Sequence, residues 1–244
     1  MNDQQNDKSS NEQNTTSLKD GVFLLFLNSW IGLKNFVDFA KVVKNYYKNP
    51  LFRSADLKLL RYYLFQNPYK ISKSFLQKRG ETDIYAYGET PLTTLEYIVS
   101  QCGITKEDVV FELGCGRGRT CFWLRCVWGC RVMGIDFVPE FIGYANKVKE
   151  SLHLSGIEFR EGHLEEVDFQ KAAVVYLYGT CLDEATIHVL LHQLKNTAQK
   201  GAKVITVSFS LLEYGGEDAF ALVKSFPATF TWGTTEVFLQ VKVG

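Results

Sequence analysis

No apolar run in this chain reaches the roughly 18 residues that a membrane-spanning helix needs. The longest, Val22 to Leu33, is broken by Asn28 and followed by Lys34, so no transmembrane anchor is expected. Net charge is missing as well, with 27 basic against 27 acidic side chains. A positive segment at the amino end, the mark of a cleaved secretory signal, is replaced by Asp3, Asp7 and Glu12, and no A-x-A-like site follows. The expected location is cytoplasmic; peripheral membrane attachment and export by a non-classical route are the alternatives. Prolines number only five, and hydrophobic residues reach 46%, which excludes collagen-like, mucin-like and largely disordered chains. Cys102, Cys115, Cys121, Cys126 and Cys130 crowd together without C-x-x-C spacing. That pattern suits small buried hydrophobes better than a disulfide framework, a metal site or a redox switch.

The balanced charge hides an uneven distribution. Residues 21–90 carry eleven Lys or Arg against five acids, whereas 91–244 carry fourteen against eighteen. Residues 1–20, rich in Asn, Gln, Ser and Thr, have little to bury and read as a disordered tail. From Val22 to Leu76 apolar residues recur at helical spacing, including Phe36, Phe39, Val42, Val43 and Tyr46, then Leu57, Leu60 and Leu64. Asn49-Pro50 and Asn67-Pro68 are the expected breaks. Residues 21–86 are thus an α-helical N-terminal cap over a domain spanning 87–244. The alternative is a docking surface in which Lys34, Lys41, Lys44 and Lys48, within residues 21–50, meet an acidic membrane or partner.

Beyond residue 87 strands and helices alternate, which predicts an α/β fold with a mostly parallel sheet. Strands are expected at 108–113, 130–136, 157–160, 173–178 and 203–210, and helices at 92–100, 120–128, 140–152 and 183–195. Thr90-Pro91 reads as a helix start, with the hydroxyl as cap and proline at the first helical position. Thr229–Trp232 and Val237–Val243 around Gly233-Thr234 form a hairpin signal. The sum is a Rossmann-like seven-stranded sheet ending in an antiparallel C-terminal hairpin.

Between the first of these strands and its helix stands Glu112-Leu-Gly114-Cys115-Gly116-Arg-Gly118. Glycines there let the backbone turn sharply and approach a ligand. A carboxylate two residues before the first glycine would repel a pyrophosphate but suits a ligand bearing positive charge. Asp136, at the end of the next strand, is placed to accept hydrogen bonds from ribose hydroxyls. S-adenosylmethionine fits both demands, since it is a nucleoside without phosphate that carries an ammonium and a sulfonium. Arg117 and Arg119 flank the loop and read as exposed charges. His188 and His192 stand four apart on a helix, yet Val189 takes the glutamate position of a zinc motif and no third ligand follows, so no metal is expected.

The whole set resembles the class I S-adenosylmethionine-dependent methyltransferases. Tyr87-Gly88-Glu89-Thr90 is similar to the Y-G-E-T loop of the Dot-type (disruptor of telomeric silencing), non-SET protein lysine methyltransferases, where that loop closes over the cofactor. Similarity continues in Val110-Phe-Glu-Leu-Gly-Cys-Gly116, Arg160-Glu-Gly162-His163-Leu164, Gly201-Ala-Lys-Val-Ile205 and Thr231-Trp232-Gly233. Val175-Tyr-Leu-Tyr178 also resembles the related ATP-synthase subunit-c lysine methyltransferases. The resemblance implies cofactor-binding roles for Tyr87, Glu89, Thr90, Glu112, Gly114, Cys115, Gly116 and Asp136, with His163 and Leu164 near adenine. The chain departs from the family at His163, where an Asp is usual, and at Tyr178-Gly179-Thr180, where an Asn pair and an aromatic are usual.

That last loop lies nearest the transferred methyl, so Tyr178 and Thr180 are the catalytic candidates, with Trp232 and Phe238 beside them as channel walls. An apolar channel would favour loss of the proton from a lysine amine. The resemblance therefore implies N-methylation of a protein lysine, with S-adenosylhomocysteine as product. A small-molecule or lipid-like acceptor is the second reading, and a non-catalytic cofactor-binding protein the third. Nucleic acid is the weakest partner class, because basic charge is confined to the front segment.

Overall fold

Residues 37–80, 87–180 and 182–244 are described by the structure, a computed structural model. The expected tail over residues 1–20 and the first apolar run after it lie outside the described residues. The chain divides into two units, Met1–Asn45 and Tyr46–Gly244. In the first, the described residues are helical and belong to α1, 37–46. The second unit holds everything that follows.

Two Asn-Pro pairs open the next two helices, and each does so by the same chemistry. Asn49 caps α2 (Pro50–Tyr63) by accepting from the Phe52 amide, and Asn67 caps α3 (Pro68–Arg79) by accepting from the Tyr69 amide. Proline at the first helical position has no amide to leave unpaired and already holds a helical φ. Gly80 ends α3 in the left-handed region at φ +75.

Seven strands build one sheet: β1 (Val109–Leu113), β2 (Arg131–Asp136), β3 (Ile157–Glu161), β4 (Val174–Leu177), β5 (Lys203–Val207), β6 (Phe220–Thr229) and β7 (Thr234–Lys242). Their order is β3-β2-β1-β4-β5-β7-β6, parallel from β3 to β5, with β7 antiparallel to both its neighbours. The first three strands step one way from β1 and the chain then returns to the other side of β1. That reversal opens a crevice beyond the carboxyl ends of β1 and β4, where open α/β sheets bind ligands.

One sheet face carries Phe111, Leu113, Val175, Leu177 and Val204, packed on Ile187, Leu190, Leu191 and Leu194 of α7 (Glu184–Thr197). The other face, with Glu112 and Tyr176 side by side in register, meets α4 (Leu92–Gln101), α5 (Arg119–Trp123) and α6 (Pro139–Ser151). Burial of a Phe or Leu stabilises by about 1.5–3 kcal/mol each, so these two layers hold the fold.

Three local expectations change. The run expected as one helix over 120–128 is α5 followed by a wider π-type turn, Leu124–Trp128, which ends at Gly129 with φ +99. Of the expected strand Thr229–Trp232 only Thr229 is in a strand, as the last residue of β6, and the rest is the hairpin turn, closed by the Phe230 amide donating to the Gly233 carbonyl at 2.7 Å. The partner strand is the preceding run, β6, disguised by Pro227 and by a bulge at Leu222–Lys224 that breaks the period-two pattern. An edge strand tolerates both. Finally, Arg119 is not a free surface charge: its guanidinium grips Asp56 of α2 with Nε to Oδ1 at 2.6 Å and Nη2 to Oδ2 at 2.9 Å. The Asp56 side chain has no exposure at all, and the Tyr47 hydroxyl donates to the same carboxylate at 3.0 Å.

Removing one partner of such a pair strands the other charge in the interior. Arg119→Met should therefore lower unfolding free energy by about 3 kcal/mol in urea denaturation, and the double variant with Asp56→Leu should recover most of that loss. Equal losses in the single and double variants would show that the pair is incidental.

Candidate active site

The cradle is made by the loop after β1. Gly114, Gly116 and Gly118 all sit in the left-handed region, at φ +67, +53 and +75. The Cys115 amide donates to the Ile135 carbonyl of β2 at 3.0 Å, which pins the loop to the next strand. A Cβ at Gly114 would meet nothing within 4 Å, so that position opens onto free space, whereas one at Gly118 would lie 2.5 Å from the Phe159 ring. Gly114 leaves room for a ligand; Gly118 leaves room for the core. Cys115 and Cys121 are buried beside Gly134, where a Cβ would strike both sulfurs.

Two buried carboxylates end the neighbouring strands. Glu112 accepts from Thr120 Oγ1 at 2.5 Å and from Cys121 Sγ at 3.0 Å, so it points at the first turn of α5. Burial pushes its carboxyl up to about 7 against those two hydrogen bonds. Asp136 accepts from the Gly116 amide at 2.7 Å and the Val138 amide at 2.9 Å. Burial pushes it up to about 6, while those backbone donors pull the other way. A carboxylate has about four acceptor sites, so Asp136 keeps acceptor capacity beyond its backbone donors.

Tyr87-Gly88-Glu89-Thr90 reaches across this cradle. A Cβ at Gly116 would stand 3.1 Å from the Tyr87 ring, which also packs on Phe141 of α6 at 5.2 Å and edge-on to Tyr69 of α3 at 5.0 Å. The Tyr87 hydroxyl donates to Glu89 Oε1. Glu89 in turn pairs with Arg117, Nε to Oε1 at 2.6 Å and Nη2 to Oε2 at 2.7 Å. Burial works against its charge, but the guanidinium and the two hydrogen bonds outweigh it and hold Glu89 below the usual carboxylate range. Arg117, expected at the surface, is therefore the latch of the loop, and it also lies over the Tyr63 ring at 5.6 Å. Thr90 does not cap α4: its hydroxyl is 2.6 Å from the Tyr176 hydroxyl on β4, and Pro91 takes the cap position.

At the end of β4 the side chains turn aromatic. Tyr178 stacks on Phe230 at 5.2 Å, Phe230 on Trp232 at 5.8 Å, and Trp232 Nε1 donates to the Tyr178 hydroxyl at 2.5 Å. Trp232 is about half exposed, while Phe230 is buried. A Cβ at Gly88 would lie 2.8 Å from Tyr178 Cε1, so the same loop that covers the cradle touches this wall. Thr180 is exposed two residues further on, next to 181, which lies outside the described residues. Phe238 stands opposite Thr206, in line with Gln240 and Val204, on the sheet face covered by α7 rather than the face of Tyr176.

His163 lies after β3 with its ring 6.0 Å from Phe137, and Phe137 meets Phe75 of α3 edge-on at 5.5 Å. Leu164 begins the short 3₁₀ turn Leu164–Glu166 beside it. Phe137 belongs to no motif, although its place directly after Asp136 is a usable signal; Tyr176 falls inside the Val175–Tyr178 motif without a role of its own, and Tyr69 and Phe141 have no signal. His188 and His192 are exposed on α7, and no metal-binding cluster exists among the described residues.

A crevice at a strand-order reversal, a glycine cradle and two buried acids fit a nucleoside cofactor bearing positive charge, and the fold and site together define a class I methyltransferase domain. Residues 104–232 match the family described as "Methyltransferase domain", and the chain belongs to it. It is an S-adenosylmethionine-dependent methyltransferase domain. The chain is 27% identical over 157 residues to the H3 lysine-79 specific histone-lysine N-methyltransferase of Dictyostelium discoideum, covering 58% of this chain and 8% of that protein. It is 23% identical over 111 residues to a geranyl diphosphate 2-C-methyltransferase of Saccharopolyspora erythraea, covering 43% of this chain and 38% of that one. The chain thus spans well under half the length of both curated relatives. Among solved structures, an RNA methyltransferase of Salinibacter ruber bound to S-adenosyl-L-homocysteine superposes with a TM-score of 0.53 at 24% identity, covering 64% of this chain and 94% of that one.

Two predictions follow from the acids and the latch. Because folding raises the pKa of Glu112 and Asp136 above their unfolded values, their contribution to the stability of the free protein falls as pH rises between about 4 and about 7. Ligands that need the ionised forms gain over the same range. The thermal shift produced by S-adenosylhomocysteine should increase from about pH 5 to about pH 8, and Glu112→Gln should flatten that rise. Separately, Arg117→Ala should weaken S-adenosylhomocysteine binding roughly five- to tenfold by calorimetry, a loss on the scale of one half-buried pair.

Proposed function

We propose that this protein transfers a methyl group from S-adenosylmethionine to the side-chain amine of a protein lysine. The carrying observation is the stacked wall Tyr178–Phe230–Trp232, which meets the Tyr87–Thr90 loop at Gly88 and so adjoins the cofactor cradle. Similarity to a histone-lysine N-methyltransferase over 58% of the chain supports the same reading.

In this reading Asp136 accepts from the ribose, Glu112 faces the positive methionine portion, and Phe137, His163 and Leu164 border the adenine. Gly114, Cys115 and Gly116 give the cofactor its close backbone approach, and Tyr87, Glu89 and Thr90 close over it. When bound, S-adenosylmethionine supplies a methyl already made electrophilic by its sulfonium. The chain's own task is alignment, since in-line approach of a nucleophile lowers the barrier by several kcal/mol. Tyr178 and Trp232 exclude water from one side of the acceptor. The same apolar surroundings lower the amine's pKa from about 10.4, so that the proton leaves before attack. Thr180, exposed at the rim, contacts the acceptor chain.

The geranyl diphosphate relative favours a second reading, an apolar small-molecule acceptor on the same aromatic wall. Incubation with methyl-labelled cofactor and cell extract, followed by fractionation, separates the two. Label recovered as methyl-lysine after protein hydrolysis, and reduced at least about tenfold by Trp232→Ala with unchanged S-adenosylhomocysteine affinity, is the expected result. Label confined to lipid or small-molecule fractions would discard the lysine assignment, and cofactor binding without any label would leave a binding protein.

A further inference from the structure

The hairpin of α2 and α3 presents a surface that the methyl-transfer reading does not use. The buried arc of α2 holds Phe52, Ala55, Asp56, Leu59 and Tyr63. Its solvent arc interleaves cations with large apolar side chains: Arg53, Leu57, Arg61 and Leu64 follow one another at helical spacing, and Lys58 and Phe65 run beside them. At the turn into α3, Leu64 is 70% and Phe65 92% exposed. An ordinary solvated helix face mixes acids with its cations. Here the sole acid of residues 50–79, Asp56, is buried and held by Arg119. Arg53, Lys58, Arg61 and Lys70 have no acidic partner among the described residues.

We propose that this arc and its Leu64–Phe65 tip dock the protein on an anionic phospholipid surface. Two observations point to lipid together. Uncompensated cations answer a negative headgroup layer, and long basic side chains can reach it while leucines beside them enter the hydrocarbon boundary. A phosphate backbone would satisfy the cations but leave Leu57, Leu64 and Phe65 in water. The tip also projects from the end of a helix, a shape suited to a deformable interface. No helix among the described residues is long and apolar enough to span a membrane. Tyr69, which follows the tip, packs on Tyr87 of the closing loop, so docking brings the cofactor cradle to the membrane face. The inference is independent of which acceptor is methylated.

Full-length protein should be spun with vesicles of phosphatidylcholine alone and of phosphatidylcholine containing roughly a third phosphatidylglycerol. Binding to the anionic vesicles only, weakened by salt, is expected. Leu64→Ser with Phe65→Ser should reduce partitioning at least about tenfold, and Arg61→Gln about fivefold, as for one basic side chain near an anionic surface. Unchanged S-adenosylhomocysteine affinity checks that these variants fold. Phe65→Trp provides a second readout: its added emission should move to the blue on anionic vesicles. Failure to bind anionic vesicles at low salt would overturn the proposal. Binding that ignores Leu64 and Phe65, or that favours RNA or an acidic peptide over vesicles, would overturn it too, and would mark a general polyanion or protein surface.

Discussion

Two guanidinium groups, two residues apart where the glycine loop enters α5, align the rest of the site. Arg117 holds Glu89, which arrives from before α4, and Arg119 holds Asp56, which arrives from α2. Gly118 between them, at φ +75, both turns the chain into α5 and admits the Phe159 ring. Partly buried ion pairs add little net stability because desolvation consumes most of the attraction, but they are exacting about alignment, since a misplaced partner leaves a charge stranded. The glycine loop is therefore the point to which two distant segments are registered.

Four consecutive residues, Tyr87 to Thr90, then engage four different partners. Tyr87 lies on Gly116, Gly88 on Tyr178, Glu89 on Arg117 and Thr90 on Tyr176. The cradle, the aromatic wall and the central strand are thereby joined through one short segment. A substitution at any of the four positions loosens a different contact, and at Gly88 any side chain would collide with the Tyr178 ring. This is the physical content of the Y-G-E-T pattern in this chain.

Much of this architecture was legible from local pattern alone. Apolar runs located the parallel strands to within a residue or two, except at the carboxyl end of β5, and the two Asn-Pro pairs opened their helices as their chemistry requires. The edge strand β6 was hidden because a bulge and Pro227 erase alternation. What the pattern could not carry were partnerships between distant residues. Arg117 and Arg119 look like surface charges until their acids, 28 and 63 residues away, fold onto them. Thr90 has the right neighbour for a helix cap, but a buried tyrosine hydroxyl on β4 competes for its oxygen and wins. Local propensity ranks such options; the tertiary partner decides among them.

The same pairings bear on why the cradle suits a positively charged ligand. Glu112 has only neutral donors, Thr120 and Cys121, and Asp136 has only backbone amides. The nearby cations that might have neutralised them are bound to Glu89 and Asp56 instead. Two acids thus remain buried without counter-charge, and burial lifts both above their ordinary range. A ligand bringing a cation and hydroxyl donors relieves that penalty, whereas a pyrophosphate would compound it. In the proposed cofactor site, preference for a cationic nucleoside would therefore arise less from what the pocket adds than from where the surrounding arginines are engaged.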